Sequence, residues 1–414
     1  MSSGQPIPLN MTGVKSVQWS AIFSMLAYPE CSEVEINGPD NVFVKYKGKR
    51  MEMGVDIGKR IAWSDIDDFG RSMADVESHM VRYGQDYKDA FCIFEGGLRL
   101  QTNDDHKPIR ARFHCLKPPV CEFPLVTIAK QSVELATLGS IVKSGSLSPE
   151  MAKFIKGLMA KRQTIVFSGG TGAGKTTFLN AISKFIDPTE RVCVCEDAPE
   201  LLFEHLRDTA YLMSYPKQPG KSADDQATLS WVTSQTARMR VDRIIIGETR
   251  GPEFSDFLTA ANSGFDGSLT TLHANTPRMA LDKMFNFTKR APGNGTTPST
   301  SINKDIANAV DYIIQLGRPR NKYRVLAIEE VTKTVGDDES AKIKTNPIYQ
   351  YNQNIDGWER TSWPSDDDMR EFLQDFIAKE EARRQAEASS RMNDLQQSST
   401  TSSQNHHSSR FFRR

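Results

Sequence analysis

Thr164-Ile165-Val166-Phe167-Ser168-Gly169-Gly170-Thr171-Gly172-Ala173-Gly174-Lys175-Thr176-Thr177-Phe178-Leu179-Asn180-Ala181-Ile182 reads as a strand, a loop and a helix in succession. The apolar Thr164–Phe167 run is short and of the buried type, and the residues from Thr177 onward open a helix. Between them, Gly169 to Thr176 carries the spacing of a phosphate-binding loop. A triphosphate needs several N–H donors converging on one point, and glycine lets the backbone come that close. Gly169, Gly170, Thr171, Gly172, Ala173 and Gly174 are the expected cradle. Lys175 brings a positive charge to the β- and γ-phosphates, and Thr176 offers a hydroxyl to Mg²⁺. Thr177 lies in the first turn of a helix whose N-terminus faces the anion. ATP and Mg²⁺ are the cofactors this loop implies.

Outward from the loop, strands alternate with helices, which predicts an α/β fold with a parallel sheet. The strand candidates are Thr164–Phe167, Arg191–Cys195, Arg243–Ile246, Ser268–Leu272 and Tyr312–Gln315; Thr176–Ile186 and Thr228–Met239 are helical. Strand C-terminal ends gather at the ligand crevice of such a sheet. Three of these ends carry chemistry. Glu248 closes Arg243-Ile244-Ile245-Ile246-Gly247-Glu248 and is suited to organising Mg²⁺ and the attacking water. Glu196-Asp197-Ala198-Pro199-Glu200 is either an acidic surface turn or a second part of the same site. His273, in Thr270-Thr271-Leu272-His273-Ala274-Asn275, would reach the same edge, although a lone histidine is more often structural. Arg238, Arg240 and Arg250 flank the Glu248 strand as candidate charge stabilisers, against the plainer reading of exposed arginines.

Residues 1–134 read as a smaller α+β domain. Val17–Tyr28 has helical spacing, Ser32-Glu33-Val34-Glu35-Ile36-Asn37 alternates as a strand, and Asn41–Tyr46 is its hairpin partner. Trp63–Gly84 has helical character, and strands follow near Ala90–Phe94 and Ile109–Leu116. Residues 135–150 are the expected linker, with Gly139, Gly145 and several serines making Leu135–Pro149 a candidate hinge. The ATPase domain is expected over 151–350, including a flexible loop at Ala291–Pro298. Residues 351–414 are expected as a polar helix, N-capped by Ser365, and a disordered Ser/Gln/Asn-rich tail.

The 414 residues hold 52 Lys+Arg and 52 Asp+Glu, so no global charge excess draws the chain to nucleic acid, and sequence-specific nucleic-acid binding is not expected. No apolar run approaches the ~20 residues that span a bilayer, and the N-terminal residues lack the pattern of a secretory signal. Cys193 and Cys195 fall on one face of a strand, but no second pair completes a metal site, and both are expected as core residues. A reducing cytoplasm suits the cysteine usage.

Taken in order, the motifs resemble the secretion (traffic) ATPases. They are the phosphate loop, Val194-Cys195-Glu196-Asp197, Arg238-Met239-Arg240-Val241-Asp242-Arg243 leading into Glu248-Thr249-Arg250-Gly251, and Thr271-Leu272-His273-Ala274-Asn275. That family comprises hexameric motors of type II and type IV secretion, pilus and conjugation systems. The N-terminal half resembles the type IV secretion and conjugation branch at Ser32–Asn37, at Arg112 ahead of Leu116-Lys117-Pro118-Pro119, and at Thr127-Ile128-Ala129-Lys130-Gln131-Ser132. The resemblance implies a RecA-like ATPase domain and a homo-hexamer at the cytoplasmic face of the inner membrane, peripheral and without a transmembrane segment. It further implies that Glu196, Glu200, Glu248 and His273 are catalytic, with Thr176 and Glu248 at the metal. Arg112, Arg238 and Arg240 would approach the nucleotide. Ala129 stands where the branch usually has arginine, and the four-cysteine zinc insert of type II secretion ATPases is absent. A pilus assembly or retraction ATPase and a nucleotide-gated scaffold are the competing readings; a small-molecule kinase is disfavoured for want of a lid or acceptor motif.

Overall fold

The computed structural model describes residues 25–28, 30–37, 41–52, 81–82, 93–100, 109–116, 121–122, 125–130, 136–197, 200–203, 205–214, 227–333, 342–383 and 385–386. Strands β1 (Cys31–Asn37), β2 (Val42–Tyr46), β3 (Lys49–Glu52), β4 (Val81–Arg82), β5 (Ile93–Leu100), β6 (Ile109–Leu116) and β7 (Leu125–Lys130) form one antiparallel sheet in the order β3-β2-β1-β7-β6-β5-β4. The alternation read from the sequence sets its register. Val34 and Ile36 of β1 are buried, while Glu33 pairs with Lys45 at 3.0 Å and Glu35 with Arg50 at 2.8 Å. Of the stretch expected as helix from Trp63, only Val81–Arg82 is described, and it is a strand. Most of the expected Val17–Tyr28 helix lies outside the described residues.

The second sheet holds the phosphate loop. Its strands are β8 (Ile165–Gly169), β9 (Val192–Glu196), β10 (Thr209–Met213), β11 (Arg243–Thr249), β12 (Leu269–Leu272), β13 (Tyr312–Gly317), β14 (Arg324–Val331), β15 (Thr345–Asn352) and β16 (Gly357–Arg360). Their order is β10-β9-β11-β12-β8-β13-β14-β15-β16; the pairs from β10 through β13 are parallel, and the last three pairs antiparallel. Both faces are covered, which is why the central strands read as continuous apolar runs. Ile165, Phe167, Val192, Val194 and Ile245 face one core with helices α1 (Leu138–Lys143), α2 (Pro149–Ala160) and α3 (Lys175–Ser183). Val166, Cys193, Cys195, Ile244 and Ile246 face the other, with α4 (Leu229–Gln235), α5 (Glu253–Ala261), α6 (Pro277–Arg290) and α7 (Ser299–Ala309). Cys193 and Cys195 are thus core residues, as expected, and share a face.

Four further sequence expectations change. The 135–150 stretch is not a slack linker from Leu138 on. Thr137 and Ser140 cap α1 reciprocally, Leu138 and Leu147 are buried in the first core, and the Ser146 carbonyl accepts from Val325 N at 2.8 Å. Its serines close turns instead of loosening them. Nor does the sheet stop at residue 350: β15 crosses that position, β16 follows, and a helix α8 over 367–383 packs Met369 and Leu373 into the first core. Its N-cap is Asp366, whose Oδ1 accepts from Met369 N at 2.7 Å, and not Ser365, whose hydroxyl donates to Glu330. Ala291–Pro298 is likewise a bonded turn, with Asn294 Nδ2 donating to Ser255 Oγ at 3.0 Å and to the Thr288 carbonyl at 3.1 Å.

At the N-terminal edge of the sheet, Arg243 is fully buried and donates Nε and Nη2 to both oxygens of Glu190, at 2.9 and 3.0 Å, and Nη1 to the Gly267 carbonyl at 2.8 Å. Arg243→Ala is expected to cost about 3–5 kcal/mol, because it breaks a buried ion pair and leaves the Glu190 carboxylate only the half-exposed Arg162, at 3.2 Å. Adding Glu190→Ala should recover part of that loss, read as the shift in the denaturant midpoint.

Candidate nucleotide-binding site

The loop between β8 and α3 is shaped by two glycines. A Cβ on Gly169 would lie 2.8 Å from the Leu316 carbonyl oxygen and 2.9 Å from Ala173 Cβ, so the chain can pass there only without a side chain. Gly174 takes φ +89°, a left-handed conformation that starts α3 with no side-chain cap. The first N–H groups of a helix have no acceptor within it, so this end carries donors and the positive pole of the helix dipole. Glycines at the close approaches and an uncapped helix N-terminus fit a triphosphate.

Lys175 is buried, and its Nζ donates to the Gly169 and Gly170 carbonyls at 3.1 and 3.2 Å. Burial lowers its ammonium below the usual lysine range, against the opposing pull of Glu248 and Glu200. It also meets His273 Nδ1 at 3.3 Å. A lysine ammonium only donates, so Nδ1 is the acceptor, and the imidazole proton sits on Nε2, facing Glu248 Oε1. Burial holds the imidazole below its usual range; the Lys175 and Arg250 charges add to this, and Glu248 opposes it. The neutral tautomer deduced from the hydrogen bonds agrees with that direction.

Glu248 has its other oxygen on Arg250 Nη2, at 2.6 Å. Burial pushes this carboxyl up, but the Arg250 hydrogen bond and charge, with His273 and Lys175, outweigh it and hold it below the ordinary carboxylate range. Arg250 therefore does join the site, in a chain Lys175–His273–Glu248–Arg250. The end of β9 and the loop after it supply the remaining acids. Thr176 Oγ1 donates to Glu200 Oε2 at 3.0 Å. Glu196 is 4% exposed and its Oε1 accepts from the N–H groups of Glu200 and Leu201, at 3.0 and 2.9 Å. Of the acids, then, Glu200 stands at the Thr176 hydroxyl, while Glu196 shapes the turn that carries Glu200.

Arg238 and Arg240 are not brought to this chain's own loop. Both are exposed and precede β11, whose C-terminal end holds Glu248. The strand from Arg243 to Glu248 spans about 16 Å at 3.3 Å per residue, more than an arginine side chain bridges. Strand direction, which a linear motif does not display, separates them from Lys175. Arg112 lies on β6 opposite Ala129, and its side chain is outside the described residues. Lys130, beside Ala129, donates to the Leu26 and Tyr28 carbonyls at 2.9 and 2.6 Å, which ties it to its own half of the chain. Gln315 was missed by motif reading. It is buried beneath the loop, accepts from Ser168 Oγ at 2.5 Å and donates to the Ala274 carbonyl at 3.1 Å, so it braces the segment carrying His273 against β8.

A family profile described as type II/IV secretion system protein matches residues 28–400. The chain belongs to this family. Within the type II/IV secretion family, it is 30% identical over 220 residues to a putative conjugal transfer protein of Mycobacterium tuberculosis, covering 52% of this chain and 60% of that one. It is 31% identical over 240 residues to the conjugal transfer protein TrbB of Rhizobium radiobacter, covering 55% of this chain and 69% of the other. The chain thus spans about 60% of the length of the first of these secretion-family relatives. In structure it is similar to the Legionella pneumophila ATPase DotB, with a TM-score of 0.52 over 81% of this chain and 82% of that one, at 14% identity. That likeness is one of fold, the RecA-like α/β sheet beside a smaller antiparallel one.

Proposed function

We propose that the chain hydrolyses ATP as a homo-hexameric motor of a type IV secretion or conjugation apparatus, in the cytoplasm against inner-membrane components. The observation that carries the reading is convergence: β9, β11 and β12 deliver Glu200, Glu248 and His273 to one phosphate loop. The names of the conjugal transfer relatives support the biological setting. No helix among the described residues is long and apolar enough to cross a membrane.

Mg²⁺ would suit the hard oxygen donors here, the Thr176 hydroxyl and the Glu248 carboxylate, because it is held by few protein oxygens together with phosphate. When bound, it would supply charge neutralisation for the phosphates. The loop amides and Lys175 grip the phosphates. Glu200 orients a water and takes its proton, and Glu248, its ionised state held by Arg250, keeps the His273 proton on Nε2 and so leaves Nδ1 aimed at Lys175. The smaller N-terminal sheet, with Arg112, closes the site from the other side in this reading, and hydrolysis changes the angle between the halves. Because Leu138 and Leu147 are packed into the first core, the segment from Leu138 on moves with the phosphate-loop sheet in this reading and does not act as the hinge.

Sizing by light scattering with and without Mg·ATP, for wild type and Lys175→Ala, tests the reading. Wild type is expected to assemble into a ring with nucleotide. A strict monomer with normal ATPase would overturn the motor assignment.

A further inference from the structure

The turn between β13 and β14 places an aromatic ring on the phosphate loop. Tyr323 Cδ1 lies 3.3 Å, and Cε1 3.5 Å, from where a Cβ on Gly174 would sit. The Arg318 guanidinium lies 4.7 Å from the ring centroid, yet 49% of Tyr323 is exposed. One exposed aromatic is ordinary. An exposed aromatic touching the glycine that opens the phosphate-binding helix is a more specific arrangement.

The fold holds that ring in place. β13 pairs in parallel with β8 and sets Leu316 against Gly169, so the turn emerges beside the loop. Arg320 and Asn321 both take left-handed φ, 50° and 61°, which tightens the turn. The turn between β15 and β16 then pins it. Arg320 Nη2 donates to the Gln353 carbonyl at 3.3 Å, and Lys322 Nζ lies 3.6 Å from Asp356 Oδ2. The largely buried Arg324 donates Nη1 to the Tyr323 carbonyl at 2.9 Å while its Nε and Nη2 reach Asp356 at 3.3 Å. Tyr351 also donates its hydroxyl to Asp356, at 2.5 Å. A ring whose backbone is fixed from two sides loses little freedom on meeting a ligand, and preorganisation of this kind favours binding.

We propose that Tyr323 is the platform on which the nucleotide base stacks, with Arg318 backing the ring, so that the turn over residues 318–323 is a base-binding element of the site. This rests on the nucleotide-binding reading above and adds to it a part of the ligand the phosphate loop does not touch. Phosphate contacts are blind to the base; an aromatic face is not, and stacking favours any flat base over none.

The test compares Mg·ATP with inorganic tripolyphosphate, each competing against a fluorescent ATP analogue on the full chain. Tyr323→Ala is expected to weaken ATP about tenfold, a typical value for one base on one ring, while tripolyphosphate affinity is unchanged. Tyr323→Phe keeps the ring and should stay within about twofold of wild type. Equal losses for ATP and tripolyphosphate would mean that Tyr323 only buttresses Gly174, and no loss for either would mean that the ring takes no part; both overturn the proposal. Wild type that binds tripolyphosphate but gains nothing from the base also overturns it, leaving the phosphate site intact. Wild type that binds neither ligand overturns the nucleotide-binding reading itself, and this proposal with it.

Discussion

Lys175→Ala is expected to lower steady-state phosphate release by at least about 100-fold, the scale set by removing one preorganised charge stabiliser from an active site, with little change in melting temperature. The size of the effect follows from where Nζ sits. It is enclosed by two loop carbonyls and His273, in a buried pocket already facing Glu248 and Glu200. Water screens such a charge poorly, so its interaction with a developing phosphoryl charge counts for more than at a surface. Stability should change little, because the alanine leaves carbonyls behind, and a carbonyl tolerates a missing partner better than an N–H does. Lys175→Arg should not rescue turnover. A planar guanidinium has a different donor geometry and more bulk than the space between Gly169 and His273 was built around. Turnover of Lys175→Ala within tenfold of wild type, measured by coupled phosphate release at saturating ATP, would remove the loop from the chemistry.

Much of this site could be read before any coordinates, for a physical reason. The phosphate loop, the acid after β9, Glu248 and His273 each belong to a short local pattern, and parallel strands bring their C-terminal ends together without further instruction. What stayed hidden was non-local or without a pattern. β15 runs Thr345-Asn346-Pro347-Ile348-Tyr349-Gln350-Tyr351-Asn352, and a proline among polar residues reads as loop until the sheet edge that accepts it is known. β16 and α8 read as lying outside the phosphate-loop half because they are mostly polar, although Trp358, Met369 and Leu373 pack into its core. The glycines and serines of residues 138–148 read as slack, whereas Thr137, Ser140 and Ser148 are caps. Gln315 and Tyr323 reach the loop from more than a hundred residues away in sequence, and only the pairing of β13 with β8 puts them there. Arg238 and Arg240 err the other way. Closeness to Glu248 in sequence suggested closeness to phosphate, and the direction of β11 denies it within one chain.

The second large effect separates the two acids that the sequence left as equals. Glu200→Gln is expected to lower ATP turnover by about 10²–10⁴-fold, the range for losing a positioned general base, while ATP binding persists. The glutamine can still accept from Thr176 Oγ1, the contact Glu200 makes at 3.0 Å, so the loop geometry survives; what it cannot do is take a proton. Glu196 should respond differently. Its Oε1 serves two backbone N–H groups that shape the turn carrying Glu200. Glu196→Gln keeps an acceptor oxygen there and should retain most of the turnover. Glu196→Ala leaves both N–H groups without it, costing about 1–3 kcal/mol in stability, and turnover falls because Glu200 is no longer held. A loss in Glu196→Gln as large as that in Glu200→Gln would reverse the two roles. A melting temperature unchanged in Glu196→Ala would show that the turn does not need the brace the hydrogen bonds describe. The comparison of alanine with glutamine at position 196 decides between brace and base, because only a base needs the carboxylate itself.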